Sequence, residues 1–265
     1  VGEAIVITSG KGGVGKTTTS ANLGTALALS DKKVCLVDTD IGLRNLDVVM
    51  GLENRIVFDL VDVVEGRCRL PQALIKDKRF DELYLLPAAQ TRDKSAVTPE
   101  QMKDIIQELR QDFDYILIDC PAGIEQGFKN AVAGADKAIV VTTPEISSMR
   151  DADRIIGLLE QEDIEPPKLI INRVRSHMLK YEETLSVDDI VRTLSIELIG
   201  VVEDDDAVIK ATNTGEPVAL HPNGKASLAY RNIARRLLGE SIPLQQLEKE
   251  KATVLTKMKK FFGFH

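Results

Sequence analysis

Ser9-Gly10-Lys11-Gly12-Gly13-Val14-Gly15-Lys16-Thr17-Thr18 decides how this chain is read. An apolar run, Ala4-Ile5-Val6-Ile7, leads into it, and a helix-forming run with Ala21, Leu23, Ala26, Leu27 and Leu29 follows. In that strand–loop–helix context, G-x-x-x-x-G-K-T is a phosphate cradle, met here by Gly10, Gly15, Lys16 and Thr17. Its glycines let backbone N–H groups face a polyphosphate with no Cβ in the way. The helix N-terminus adds partial positive charge. Lys16 is expected at the β- and γ-phosphates of a nucleotide, and the Thr17 hydroxyl at Mg²⁺.

Outward from the loop, apolar runs alternate with helical segments. That pattern predicts an α/β fold: a mainly parallel twisted sheet flanked by helices on both faces. One strand, Val34-Cys35-Leu36-Val37, ends in Asp38-Thr39-Asp40; another, Tyr115-Ile116-Leu117-Ile118, ends in Asp119. Carboxylates at strand C-termini beside a phosphate loop are where α/β proteins place chemistry. Asp119, in the Walker B pattern, is expected to hold Mg²⁺. Further strands are read at residues 83–87, 137–142, 168–173 and 198–202, and short helices and connections at 58–77. Thr98-Pro99-Glu100-Gln101 is a helix-capping signature. Ser147 is expected to cap the helix whose buried side carries Ile155, Ile156, Leu158 and Leu159. A last body helix is read from about Ala226 to Leu238, stopping at Gly239.

The 265 residues suit one large domain, here 1–240, with a separate tail, 241–265. A net charge of −7 argues against non-specific nucleic-acid binding by the body. Cys35, Cys68 and Cys120 form no CxxC, and Cys35 and Cys120, in or beside apolar strand runs, read as reduced core thiols. Neither a signal peptide nor an apolar run of roughly 20 residues is expected.

After Ser241-Ile242-Pro243 the composition turns basic. Val254, Leu255, Met258, Phe261 and Phe262 fall within a helical arc of roughly 120°. Lys257, Lys259 and Lys260 lie outside it. A short basic amphipathic helix with Phe on its apolar face suits an anionic membrane surface. A terminal helix packed on its own body is the alternative.

Lys11-Gly12-Gly13-Val14-Gly15-Lys16-Thr17 resembles the deviant Walker A loop of the MinD/ParA family of dimerising ATPases. Asp38-Thr39-Asp40-Ile41-Gly42-Leu43-Arg44-Asn45-Leu46-Asp47 is similar, without a gap, to switch I of that family's MinD branch. Asp119-Cys120-Pro121-Ala122-Gly123 resembles switch II. The likeness extends to the basic end and so covers essentially the whole chain.

This resemblance implies an ATP site made of Gly10, Lys11, Gly12, Gly13, Val14, Gly15, Lys16, Thr17 and Thr18, with Gly123 sensing the γ-phosphate and Asn172 reading adenine. It implies that Lys11 crosses to the nucleotide of a second copy, that Asp40 orients the attacking water, and that Asp38 lies near Mg²⁺ with Thr17 and Asp119. By the same likeness, Arg150, Asp151 and Asp153 lie near the dimer interface and contact the division inhibitor MinC. On the residues alone they serve equally as solvated helix charges. No N-K-x-D guanine-reading string occurs, which favours ATP.

The implied function is a cytoplasmic ATPase, peripheral on the inner face of the cell membrane, that helps place the division septum through MinC. A topological factor, MinE-like or a polar recruiter, would act on it. Three rivals share the core. A ParA-type DNA-segregation ATPase needs a basic surface on this acidic body. An iron–sulfur carrier needs paired cysteines. A MinD-like flagellar-number regulator typically carries an N-terminal extension.

Overall fold

The computed structural model describes residues 1–175 and 185–244. Its centre is an eight-stranded sheet in the order β3-β4-β2-β5-β1-β6-β7-β8. The strands are β1 (Glu3–Thr8), β2 (Val34–Asp38), β3 (Ile75–Lys76), β4 (Leu83–Leu86), β5 (Tyr115–Asp119), β6 (Lys137–Thr142), β7 (Lys168–Val174) and β8 (Glu197–Glu203). All pairings are parallel except that of β3 with β4. The reading of 58–77 as helices and connections therefore misses a two-residue edge strand, too short for any two-residue periodicity to register.

The strands read as continuous apolar runs because both faces are covered, as parallel sheets require. In β1, Ala4 and Val6 join one core while Ile5 and Ile7 join the other. The first core is closed by α5 (Pro99–Leu109), α6 (Gln126–Val132), α7 (Ile146–Leu159) and α8 (Val187–Leu194), through Met102, Phe128, Ile155 and Ile190. The second is closed by α1 (Lys16–Ala28), α2 (Leu46–Met50), α9 (Asp206–Asn213) and α10 (Lys225–Leu237), through Leu23, Met50, Ala211 and Tyr230. Two shorter helices, α3 (Leu60–Val64) and α4 (Leu70–Ala73), lead into β3.

The chain leaves β1 for β2 on one side and later returns to place β6 on the other. Strand order thus reverses at β1, and the crevice beyond the strand ends at such a point is where α/β sheets bind ligands. The Ser9–Thr18 stretch leaves β1 into that crevice.

Helix ends follow their local chemistry. Gln101 N donates to Thr98 Oγ1 at 3.2 Å and Thr98 N to Gln101 Oε1 at 2.9 Å, with Pro99 at the first helical position. Asp205 caps α9 through the Ala207 N–H, at 2.9 Å. Ser147 does not cap α7, which begins at Ile146 with Glu145 in the cap position. A turn closed by Glu145 N donating to the Thr143 carbonyl, and a Thr143 Oγ1–Ser148 Oγ bond of 2.9 Å, start the helix earlier. Ser147 then lies inside the first turn. Because the Thr98 cap satisfies an otherwise orphaned N–H, Thr98→Ala is expected to cost about 1 kcal/mol, read as a lower urea midpoint with unchanged m-value.

Candidate nucleotide site

The loop between β1 and α1 is held by two close approaches that exclude a side chain. Gly15 has φ +92°, and a Cβ there would meet Asn172 Nδ2 at 2.2 Å. A Cβ on Gly10 would meet the Asp151 carbonyl oxygen at 2.2 Å. Asn172, buried near the end of β7, donates from Nδ2 to the Val14 carbonyl at 2.8 Å. It therefore braces the loop across 158 residues of sequence. Asp151, in α7, lies against the loop's first glycine.

Three donors converge on Asp119, which is 2% exposed. Thr17 Oγ1 donates to Oδ2 at 2.7 Å, Ser20 Oγ donates to Oδ1 at 2.9 Å, and Lys16 Nζ lies 3.5 Å from Oδ1. The Thr17 hydroxyl and Asp119 carboxylate form a hard-oxygen pair of the kind Mg²⁺ takes. Asp38, also buried, accepts at Oδ1 from Asp40 N at 2.9 Å. Its Oδ2 accepts from Leu46 N at 3.1 Å and Asn45 N at 3.2 Å. Asp38 thus holds the switch I loop closed over its own strand end. Burial, with the Asp119 charge adding to it, pushes its carboxyl up to about 7 against those three N–H bonds.

Asp40 is half-buried, and its Oδ1 has no hydrogen-bond partner although that atom is inaccessible to solvent. Burial raises its carboxyl, while Lys16 and Lys94 pull the other way. An unpartnered buried carboxylate oxygen at a strand end is open to a group supplied from outside the chain.

Lys11 is half-exposed and paired within the chain: Nζ lies 3.5 Å from Glu145 Oε2 and donates to Ser147 Oγ at 3.2 Å. Arg150 and Asp153 are exposed, and Asp151 is half-buried, 3.8 Å from Arg154. Gly123, at φ +96°, donates its N–H to the Ser9 carbonyl at 3.4 Å, so switch II lies against the phosphate loop. The cleft over the loop holds about 220 Å³, walled by Ser9, Lys16, Thr18, Asn45, Ala122 and Arg173. A wider hollow, about 500 Å³, lies at the opposite end of the sheet beside Glu3, Lys33 and Arg110. It has neither a glycine loop nor a strand-end carboxylate, so the chemistry sits with the smaller cleft.

Sequence reasoning missed Ser20, Glu145, Lys94 and Arg173. Arg173 takes φ +55° at a register shift between β7 and β8, which turns its side chain toward the cleft. Its signal was a cation directly after Asn172. Cys35 and Cys120 are buried, and burial pushes the Cys120 thiol up to about 12, as suits inert core thiols. Among the described residues no group of three His, Cys, Asp or Glu is placed to hold a metal, and no helix is long and apolar enough to cross a membrane. The tail residues Val254, Leu255, Lys257, Met258, Lys259, Lys260, Phe261 and Phe262 lie outside the described residues.

The profile of the CobQ/CobB/MinD/ParA nucleotide binding domain matches residues 5–218. The chain is 72% identical over 265 residues to the septum site-determining protein MinD of Bacillus subtilis, covering 99% of each chain. MinD in the MinC:MinD cell division complex of Aquifex aeolicus superposes with a TM-score of 0.86 at 52% identity, over 92% of this chain and 99% of that one. MinD of Pyrococcus horikoshii, complexed with Mg-ADP, does so with 0.82 at 30% identity, over 89% and 96%. A glycine loop braced by Asn172, a buried Asp119 gathering Lys16, Thr17 and Ser20, and these likenesses over nearly the full length place the chain in the MinD/ParA family of nucleotide-binding ATPases, in its MinD branch.

Proposed function

We propose that the chain binds ATP with Mg²⁺, dimerises on it, holds the membrane through its tail as a dimer, and recruits MinC to help place the division septum. The observation that carries the ATPase chemistry is the convergence of Lys16, Thr17 and Ser20 on Asp119, with Asp40 Oδ1 left unpartnered nearby in the fold. Thr17 and Asp119 would hold Mg²⁺, which supplies positive charge against the phosphoryl oxygens when bound. Lys16 and the loop N–H groups stabilise charge on the transferring γ-phosphoryl group. Asp40 orients the attacking water. Asp38, with both oxygens on backbone N–H groups, sets the position of Asp40.

Lys11 completes the site of a second copy. Its contact with Glu145 is between groups 43% and 63% exposed, a pairing worth about 0–1 kcal/mol. A partner's phosphate therefore displaces it at little cost. Arg150, Asp151 and Asp153, on the α7 turns beside Gly10, are assigned to the interface that MinC reads. The Aquifex protein in its complex with MinC supports MinC as the partner class. Asn172 serves the base from its place behind Gly15.

Residues 241–265 form the membrane tail of this reading, and 1–240 the ATPase domain. One amphipathic tail binds a bilayer only marginally, much as a single lipid chain does. Two tails in one dimer gain about 10²–10⁴ in avidity from effective concentration. Location then follows nucleotide state, and a MinE-like activator or polar recruiter acts on that cycle from outside.

Co-sedimentation with anionic phospholipid vesicles tests this, using the full chain and a truncation after Ser241. Pelleting is expected with ATP but not ADP, and only with the tail present. Salt-dependent retention on DNA in its place would favour the ParA-type reading. Asp40→Ala is expected to lower ATP turnover about 100-fold or more while the protein stays on vesicles; turnover at the normal rate would remove Asp40 from its role. A third outcome concerns Asp38. Its raised carboxyl means that the folded protein keeps a proton the unfolded chain releases above about 4. The Asp38 contribution to stability without nucleotide should therefore fall as pH rises from about 4 to about 7. Asp38→Asn should flatten that slope by up to about 1.4 kcal/mol per pH unit, measured by urea denaturation across the window.

A further inference from the structure

Arg79, in the turn between β3 and β4, divides its guanidinium among three segments. Nε donates to Asp77 Oδ1 at 3.0 Å and Nη2 to Asp77 Oδ2 at 2.7 Å. Nη1 donates to the Gly215 carbonyl at 2.8 Å, and Nη2 also donates to the Met50 carbonyl. Asp77 is a fixed base for this fork. It is 1% exposed, its N–H donates to the Leu83 carbonyl on β4, and its Oδ1 also accepts the Arg79 N–H at 3.0 Å.

Met50 is the last residue of α2, and Gly215 stands two residues beyond α9. The two helix ends also touch directly. A Cβ on Gly51 would lie 2.6 Å from the Gly215 carbonyl oxygen, and one on Gly215 would lie 2.6 Å from Gly51 Cα. Both glycines have positive φ, 68° and 66°. Backbone against backbone at this separation leaves no slack for one segment to slide past the other.

The other end of α2 is pinned as well, because Asn45 and Leu46 donate their N–H groups to Asp38 Oδ2. α2 is thus a five-residue strut, about 7.5 Å long by its helical rise, between the carboxylate that positions switch I and the guanidinium that grips α9. Its Leu46, Val49 and Met50 are buried, so it cannot roll without opening the core. On the far side, α9 carries Ile209, 61% exposed.

We infer that Arg79 is a positioning residue of the ATPase: by holding the ends of α2 and α9 on one guanidinium, it makes switch I and α9 move as one body. The nucleotide state sensed at residues 38–47 is thereby carried to an exposed helix face that the phosphate cleft does not touch. This rests on reading residues 38–47 as the loop that senses the γ-phosphate. Arginine is the residue this requires. A lysine ammonium keeps the charge but cannot bond a carboxylate edge and two carbonyls in one plane.

Amide hydrogen exchange on the full chain tests it, with Mg-ADP and with a non-hydrolysable ATP analogue, in wild type, Arg79→Lys and Arg79→Met. Light scattering is used to match the dimer fraction between samples. In wild type, the analogue but not ADP is expected to slow exchange in 40–50 and in 206–215, with coincident midpoints. In Arg79→Lys the response at 40–50 persists, while that at 206–215 shrinks about fivefold or more. ATP turnover in that variant falls about tenfold with KM within about twofold, because switch I is less well placed for the transition state. A purely structural role for Arg79 would lower stability and leave the two windows linked; that result overturns the inference. Equal responses of 206–215 to ADP and analogue also overturn it, since they mean direct contact with the base. If neither variant folds, wild type decides: a response of 206–215 to the analogue but not to ADP supports the coupling, and no response there refutes it. Silence of 40–50 toward the γ-phosphate would overturn both the coupling and the switch reading beneath it.

Discussion

A carboxylate buried to 2% exposure at the end of a central strand must be paired or it cannot stay charged. Asp119 meets that demand with three partners from one helix, Lys16, Thr17 and Ser20. Spacings of one and three residues put all three on the first turns of α1, so the demand fixes where α1 starts. The glycine loop is then the chain that must fit between β1 and that start. It turns tightly enough that Gly15 has no room for a side chain beside Asn172. The same constraint reaches Asp38, directly paired with Asp119 in the β2–β5 register. Two carboxylates side by side cannot both be left to cations of one helix. Asp38 instead takes three backbone N–H groups, and by doing so shapes switch I.

The division of labour follows from burial. The contact Lys16 makes with Asp119 is nearly dry, 9% and 2% exposed, and is backed by Thr17 and Ser20 on the same carboxylate. Contacts of Lys11 are wet, and a wet ion pair is held by little more than chance alignment. One lysine therefore belongs to a prebuilt cradle. The other is a reversible arm whose position depends on what else offers it charge. A dry, fixed charge suits a role in turnover, and a loosely held arm suits a change of partner.

How much of this could be read beforehand depended on whether the determinant was local. The loop, the two strand-end carboxylates and the Thr98 cap are set by neighbours in sequence, and all are legible there. Continuous apolar runs announced a parallel sheet because both of its faces are buried. Ser147 misled because what decided the start of α7 was the Thr143–Ser148 bond and the turn at Glu145, which no capping pattern encodes. Arg173 was hidden by its place in an apolar strand; only the shifted register between β7 and β8 turns it toward the cleft. Lys94, Glu145 and Arg79 come from segments far from the motifs, and their roles exist only once the chain is folded.

The resulting molecule has a stiff centre with adjustable attachments, and the two are joined at few points. Asp38 is one, since it belongs to the sheet by its backbone and to switch I by its side chain. Glu145 and Ser147 are another, joining Lys11 to α7, whose next residues lie against Gly10. A γ-phosphate in the cleft would offer a partner to the unfilled oxygen of Asp40, and one in the cleft of a second copy would offer charge to Lys11. Neither response requires the core to repack, because the groups that change partners are the exposed or unsatisfied ones. A phosphoryl group bound there would thus change partners at the surface and leave the two apolar cores and the sheet between them as they are.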